Sequence, residues 1–272
     1  MPELPEVETI ARELNQALSG QTIRKVQVRR PGLLEGDSPQ GFEAGLAGKQ
    51  VDRVARRGKY LVFTLVPQGV LVAHLRMTGK FVLQGGAESI PPSARVVFLL
   101  SGGERLLYQD TRCLGRLFLA RTEEEAPPLA RLGMEPLSGG FTPGWLAQGA
   151  AKSRTPIKVW LMDQSRVAGL GNIYVSEICF SARVAPTRPA NSLNRGEIQR
   201  IHRVTGEILT QALACNGTTI SDYRKVDDKT GTFQNFLRVY GKKGAPCPRC
   251  AAPIQRIVQH QRSTFLCPVC QK

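Results

Sequence analysis

The sequence predicts an α+β chain in which an antiparallel β-sandwich or barrel, headed by one helix, precedes a helical segment and a small cysteine-rich ribbon. Three observations carry this expectation. Eight short β-like runs separated by Gly, Pro and Ser fill the first half. Helical periodicity dominates from about residue 123 onward. Two Cys-x-x-Cys pairs lie close to the carboxy-terminal end.

The first element is a helix. Pro5 suits a first helical position, Glu6 and Glu8 fall in the first turn where carboxylates complement the dipole, and Val7, Ile10, Leu14 and Leu18 follow at helical spacing. Gly20 is the expected stop. The β-like runs are residues 22–28, 51–56, 60–66, 70–75, 80–83, 96–100, 105–108 and 116–119, with Ser101-Gly102-Gly103-Glu104 as a hairpin signal. Glu123 to Pro128 has the composition of a linker. Thr142-Pro143 and Thr155-Pro156 each open a helix, a third begins near Asn172, and the longest has Asn194 as N-cap with Glu197 three residues on, a capping box. The polar, turn-rich stretch 216–231 reads as a mobile loop.

Composition narrows the function. Lys plus Arg number 37 against 22 Asp plus Glu, a formal charge of +15. That excess suits a polyanion, since neutralising phosphates releases counterions. No apolar run reaches the ~18 residues of a membrane span, and no strongly basic amphipathic helix stands out, so no membrane partner is expected. The acidic start lacks the layout of a secretory signal, and cytoplasmic residence is the expectation. Seven cysteines, of which Cys113, Cys179 and Cys215 fall outside the paired motifs, read as reduced thiols.

The richest chemistry lies in Met1-Pro2-Glu3-Leu4-Pro5-Glu6-Val7-Glu8-Thr9. A methionine followed by a small residue is ordinarily trimmed, leaving the secondary amine of Pro2 as the terminus. Such an amine condenses with an aldehyde-level carbon to a cationic iminium, an electron sink. It lies just ahead of a helix N-terminus, whose positive end disfavours its protonated form, and Glu3 beside it can shuttle protons. The plainer alternative is ordinary helix capping.

Cys247, Cys250, Cys267 and Cys270, with sixteen residues between the pairs, have the spacing of a four-thiolate zinc ribbon whose intervening chain folds as a hairpin. Four thiolates leave no open coordination position, so one Zn²⁺ here is structural. Arg256, His260 and Arg262 sit on that hairpin within reach of phosphates. Elsewhere, Arg56-Arg57-Gly58-Lys59 presents a lysine on a tight turn, a cationic proton donor or simply a solvated edge. His74 ends an apolar strand, as a DNA contact or simply a satisfied structural histidine, and Met77 at the following turn can wedge into a base stack. Arg112 can fill the hole left by an extruded base, with Leu114 as a second wedge; the alternative is a charged β-turn. Gly169-Leu170-Gly171-Asn172 enters a helix as an anion cradle, with Asn172 donating to a phosphate. Lys152, Arg154 and Lys158 extend a basic track ahead of it.

These pieces, in this order, resemble the formamidopyrimidine-DNA glycosylases over essentially the whole chain: MPELPEVET, RRGKYL, HLRMTGKF, DTRCLG, WLMDQ, VAGLGNIYVSE, GTTISDY and TFQNFLRVYGKKGAPC leading into the ribbon. The resemblance implies an N-terminal catalytic β-sandwich over residues 1–130, a helix–two-turn–helix domain with a lid loop over 131–235, and a zinc finger over 236–272, with damaged double-stranded DNA in the cleft between. It implies a bacterial cytoplasmic enzyme of base excision repair, acting as a monomer at the nucleoid. Pro2 matches the Schiff-base nucleophile, Glu3 its acid partner, Lys59 the lysine that assists β-elimination, and Arg262 the zinc-finger arginine linked to δ-elimination. Three departures stand out. Arg112-Cys113-Leu114-Gly115 replaces Arg-Arg-Phe-Gly, so an aliphatic wedge stands for an aromatic one. Ser93-Ala94-Arg95-Val96 replaces a histidine-containing stretch. Ser153 interrupts a basic run beside Lys152. Two other readings are an endonuclease VIII-type enzyme for oxidised pyrimidines, which more often has Gly after Glu3, and a non-catalytic zinc-ribbon DNA-binding protein.

Overall fold

The computed structural model describes residues 1–218 and 231–272 of the chain. All but Gly217 and Thr218 of the GTTISDY motif, and most of the expected lid, lie outside the described residues. Contacts divide the chain into two units, one of Met1–Arg131 with Asn216–Thr232, the other of Leu132–Cys215 with Phe233–Lys272.

The first unit opens with helix α1, Leu4–Leu18. It starts one residue earlier than Pro5 suggests: Glu3 is the N-cap, Leu4 the first helical residue and Pro5 the second. Its apolar stripe is buried, and Gly20 follows the end with a φ of 82° and donates its N–H to Val51 O at 2.8 Å. All eight expected strands are present: β1 Ile23–Val28, β2 Gln50–Arg57, β3 Tyr60–Val66, β4 Val70–His74, β5 Gly79–Gln84, β6 Ala94–Leu100, β7 Arg105–Asp110 and β8 Arg116–Ala120. They form two antiparallel four-stranded sheets, in orders β1-β6-β7-β5 and β2-β3-β4-β8. The inward residues of both sheets and of α1 make one core, with Leu14, Leu18, Phe42, Phe63, Phe81, Phe98 and Leu117 among its members. The β domain is therefore a sandwich. Helix α2, Pro39–Leu46, was not expected from the sequence; Ser38 caps it by accepting the Gly41 N–H at 3.0 Å, and Phe42 and Leu46 enter the core. The expected linker ends in a single helical turn, α3, Pro127–Ala130.

The second unit is helical, then a ribbon. It carries α4 Pro143–Ala151, α5 Ile157–Met162, α6 Asn172–Ser181 and α7 Arg195–Ala214. Thr142 caps α4 through the Trp145 N–H, and Asn194 with Glu197 closes the expected capping box on α7 at 3.0 and 2.9 Å. The ribbon is a hairpin of β9 Gln255–Gln259 and β10 Arg262–Leu266, in register Arg262 to Gln259. A small core of Phe180, Val239, Cys247, Ile254, Phe265 and Cys267 seats it against the end of α6. No helix among the described residues is long and apolar enough to cross a membrane.

Candidate functional site

In the first unit the candidate residues Pro2 and Glu3 lie at the head of α1. Pro2 and Glu3 are both buried, ahead of the helix N-terminus. Glu6, which the sequence marks only as a dipole partner, organises this corner: its Oε2 accepts the Glu3 N–H at 2.8 Å and its Oε1 accepts the Thr218 N–H at 2.7 Å. One carboxylate thus fixes the backbone beside Pro2 and the base of the segment that leads into 219–230. Glu8, two residues on, pairs with Arg56 Nε at 3.0 Å, and Arg56 also donates to Gly58 O at 3.0 Å. That chain of contacts holds the β2–β3 turn, with Gly58 at a φ of 59°, against α1. Lys59 emerges from the turn and is buried, at 5% exposure. Tyr60, next to it, pairs across the sheet with His74.

His74 is buried and its imidazole pKa is pushed down to about 3, chiefly by desolvation, then by the Arg76 and Lys59 charges. It is therefore neutral at neutral pH. Its Nδ1 accepts the Arg76 N–H at 3.0 Å, which assigns the ring proton to Nε2 and leaves that nitrogen a donor. The Tyr60 ring meets it edge-on at 4.7 Å.

Two exposed turns follow from this scaffold. The β4–β5 turn presents Met77, 40% exposed, beside Arg76 at a φ of 53°. The β7–β8 turn presents Arg112 and Leu114, the latter 38% exposed, around Cys113 at a φ of 52°. Arg95, at the departure in the Ser93–Val96 stretch, spends its Nε on Asp110 O at 2.7 Å and another nitrogen on Pro92 O at 3.1 Å.

The second unit holds the remaining candidates. Gly171 caps α6, and Gln164 shapes the loop before it, accepting the Gly169 N–H at 3.0 Å and donating to Met162 O and Leu170 O, each at 2.8 Å. Asn172 gives one amide hydrogen to Ser263 O at 2.9 Å, so part of its donor capacity is used within the unit. Lys152 and Arg154 are exposed and the intervening Ser153 is buried, which places the two cations outward. Lys158 does not extend that track. It is 1% exposed, and its Nζ donates to Thr264 Oγ1 at 2.6 Å and Ser263 O at 3.2 Å. A buried ammonium needs such partners, and here they anchor β10. Arg262, at the start of β10, is exposed and follows a two-residue turn in which His260 and Gln261 have φ of 46° and 60°. Arg256 donates across the hairpin to Ser263 Oγ at 2.9 Å.

The four ribbon cysteines converge, all their Sγ atoms lying within 4.8 Å of one another. Cys247 and Cys270 are 3.9 Å apart and Cys250 and Cys267 3.5 Å. A tetrahedral zinc with Zn–S near 2.3 Å has S–S edges of roughly 3.8 Å, so the set fits one structural Zn²⁺. Sulfur donors of this number and reach match no hard cation.

Sandwich, helices and cysteine cluster define an α+β zinc-ribbon protein. Residues 1–117 match the model of the formamidopyrimidine-DNA glycosylase N-terminal domain, residues 132–224 that of its H2TH domain, and residues 244–272 that of a zinc finger found in FPG and IleRS. The formamidopyrimidine-DNA glycosylase of Desulfitobacterium hafniense is 43% identical over the full length of both chains. The MutM (FPG) protein of Thermus thermophilus superposes with a TM-score of 0.89 at 42% identity, over 99% of this chain and 98% of that one. A variant of the Lactococcus lactis FPG protein, solved with DNA containing Fapy-dG, gives 0.93 at 36% identity over the whole of both chains. The chain belongs to the formamidopyrimidine-DNA glycosylase family.

Proposed function

We propose that the protein excises oxidised purines, 8-oxoguanine and formamidopyrimidines, from double-stranded DNA and then cuts the strand at the resulting abasic site. The observation that carries the reading is Pro2 itself, buried directly ahead of the α1 N-terminus with Glu3 and Glu6 fixing the backbone beside it. Once Met1 is removed, the Pro2 nitrogen attacks C1′ of the flipped nucleotide and the base departs with its bonding pair, taking a proton. The iminium so formed acidifies the C2′ hydrogen. Loss of that proton expels the 3′ phosphate, and a second elimination expels the 5′ phosphate. Glu3 moves the protons at the sugar, Lys59 assists the first elimination, and Arg262 grips phosphate for the second.

Binding follows from neutral and cationic donors. His74 Nε2, Asn172, Lys152 and Arg154 meet the backbone, while Met77, Arg112 and Leu114 enter the space vacated by the base. When bound, Zn²⁺ supplies rigidity to the hairpin that carries Arg262. Cys113, Cys179 and Cys215, outside the zinc set and in no disulfide, suit a reducing compartment, and we infer cytoplasmic action as a monomer.

The test is borohydride trapping. Protein that begins at Pro2 is expected to form a covalent complex with 8-oxoguanine duplex, and Pro2→Gly or retained Met1 to form none. Absence of any trapped species would favour a non-catalytic binder. Preference for thymine glycol over 8-oxoguanine opposite cytosine would move the protein to the pyrimidine-directed class.

A further inference from the structure

We infer that Asp110 is a positioning residue, whose buried carboxylate joins the Met77 turn and the Arg112–Leu114 turn into a single preformed probe of the base stack. The inference rests on the reading above, in which those side chains enter the duplex.

The two turns come from different connections, β4–β5 and β7–β8, and nothing in their sequence separation requires them to move together. Asp110 ends β7 and pairs with Gly79, the first residue of β5. Its side chain is fully buried. Oδ1 accepts the Thr78 hydroxyl and the Arg112 N–H, the latter at 3.1 Å, while Oδ2 accepts the Gly115 N–H at 2.8 Å. Thr78 Oγ1 in turn lies 3.3 Å from the Arg112 nitrogen. One carboxylate therefore takes donors from the residue after Met77, from Arg112 itself and from the residue after Leu114. An ionised carboxylate is an acceptor only, and this one meets donors on both oxygens.

A second observation points the same way. Both turns close on the buried ring of Tyr108. A Cβ on Gly115 would stand 1.7 Å from the Tyr108 Oη, and one on Gly79 would stand 2.4 Å from it and 2.5 Å from Leu75 O. Glycine is required at both positions by the same phenol. That ring rests on Phe81, 5.1 Å between centroids, so the floor of both turns is the sandwich core. Behind it, the Arg95 contact to Asp110 O fixes the main chain of the same residue.

The physical need is clear from the backbone. Arg76 and Cys113 are non-glycine residues in the left-handed region, and each stands beside an exposed apolar side chain. Such conformations persist only where the surroundings over-determine them. A turn free to relax would have to be ordered while it opens a base stack, which slows base extrusion. The hydrogen bonds of the Asp110 carboxylate go to the two turns, to Thr78, Arg112 and Gly115, and not to Pro2 or Glu3. Removal of that carboxylate acts on extrusion, not on bond breaking.

The test uses the zinc-loaded full chain. Asp110→Asn keeps the shape but turns an amide donor toward an N–H or a hydroxyl. Thr78→Val removes one of the joining hydrogen bonds, and Thr78→Ser keeps it. Single-turnover excision of 8-oxoguanine is compared with cleavage of the same duplex carrying a pre-formed abasic site, and 2-aminopurine beside the lesion reports unstacking. Asp110→Asn and Thr78→Val are expected to slow excision about tenfold more than abasic cleavage, and to slow the 2-aminopurine rise by a similar factor. Thr78→Ser is expected to restore both. Parallel losses on the two substrates, or no loss on either, overturn the inference alone. If Asp110→Asn does not fold, the Thr78 pair decides. A wild-type protein that cuts neither substrate overturns the glycosylase reading, and this inference with it.

Discussion

The sandwich and the ribbon hold their proposed functional side chains by different physical means. In the first unit a continuous apolar core runs from α1 through both sheets, and Pro2, Glu3 and Lys59 are placed by the burial of residues such as Leu14, Phe63 and Leu117. At the ribbon the core is six buried residues, one of them Phe180 of α6, and two others, Cys247 and Cys267, belong to the cysteine set that fits zinc. A segment this small cannot remove enough apolar surface from water to offset its chain entropy, so a metal has to do it. The end that carries Pro2, the proposed nucleophile, is thus set by folding, and the end that carries Arg262, the proposed phosphate contact, by coordination.

Stripping the metal is the strongest way to break that contrast. Structural zinc contributes on the order of 10 kcal/mol to small cysteine domains. Chelation should therefore raise amide exchange across β9 and β10 by orders of magnitude while β2, β3 and β4 stay protected. Protection of β9 and β10 after complete zinc loss would show that the hairpin stands on its small core. The converse experiment is Phe81→Ala. Phe81 is 1% exposed and lies 5.3 Å from Phe63, 6.4 Å from Phe98 and 5.1 Å from Tyr108. Its truncation should cost the first unit about 3–5 kcal/mol, read from a denaturant midpoint, with zinc stoichiometry unchanged. Loss of zinc in that variant would mean that the two supports are coupled.

Glu177 sharpens the comparison within the second unit. Its buried carboxylate accepts the N–H groups of Arg238, Val239 and Tyr240 at 2.9, 3.0 and 2.9 Å, directly ahead of the ribbon. Burial raises its pKa while those three amides act in the opposite sense. Glu177→Ala should cost about 3 kcal/mol, because the amides lose their acceptor. Thermal unfolding of the zinc-loaded protein measures this, and an unchanged midpoint would show that the stretch is held by zinc instead.

How much of this is legible in the sequence follows from what each signal is made of. The strands of the sandwich are readable because apolar runs and turn residues are local, and the cysteine pairs because ligand spacing is local. Helix α2 is not: Ser38-Pro39 marks its start, but two glycines dilute the pattern of the eight residues that follow. The turn at His260-Gln261 lacks the Asn or Gly that announces paired positive φ angles. Lys158 reads as surface charge, since nothing near it in sequence names Thr264 as its partner. Asp110 escapes for the same reason: its significance lies in Thr78, thirty-two residues away.

The smallest expected effect concerns His74, where packing rather than metal fixes a proton. Its pKa falls from an ordinary value near 6.5 to about 3. Between those values the unfolded chain binds a proton that the folded chain refuses, so the stability held in the neutral imidazole is full above about 6.5 and is lost as pH falls toward 3. At pH 5 the difference is roughly 2 kcal/mol. His74→Gln keeps an acceptor for the Arg76 N–H and a donor in place of Nε2, yet cannot titrate. The urea midpoint of the wild type should therefore drop more between pH 7 and pH 5 than that of the variant, by the equivalent of about 2 kcal/mol. Equal drops would mean that the imidazole is protonated in the folded state. The phosphate contact proposed for it would then be ionic, and its salt dependence would rise accordingly.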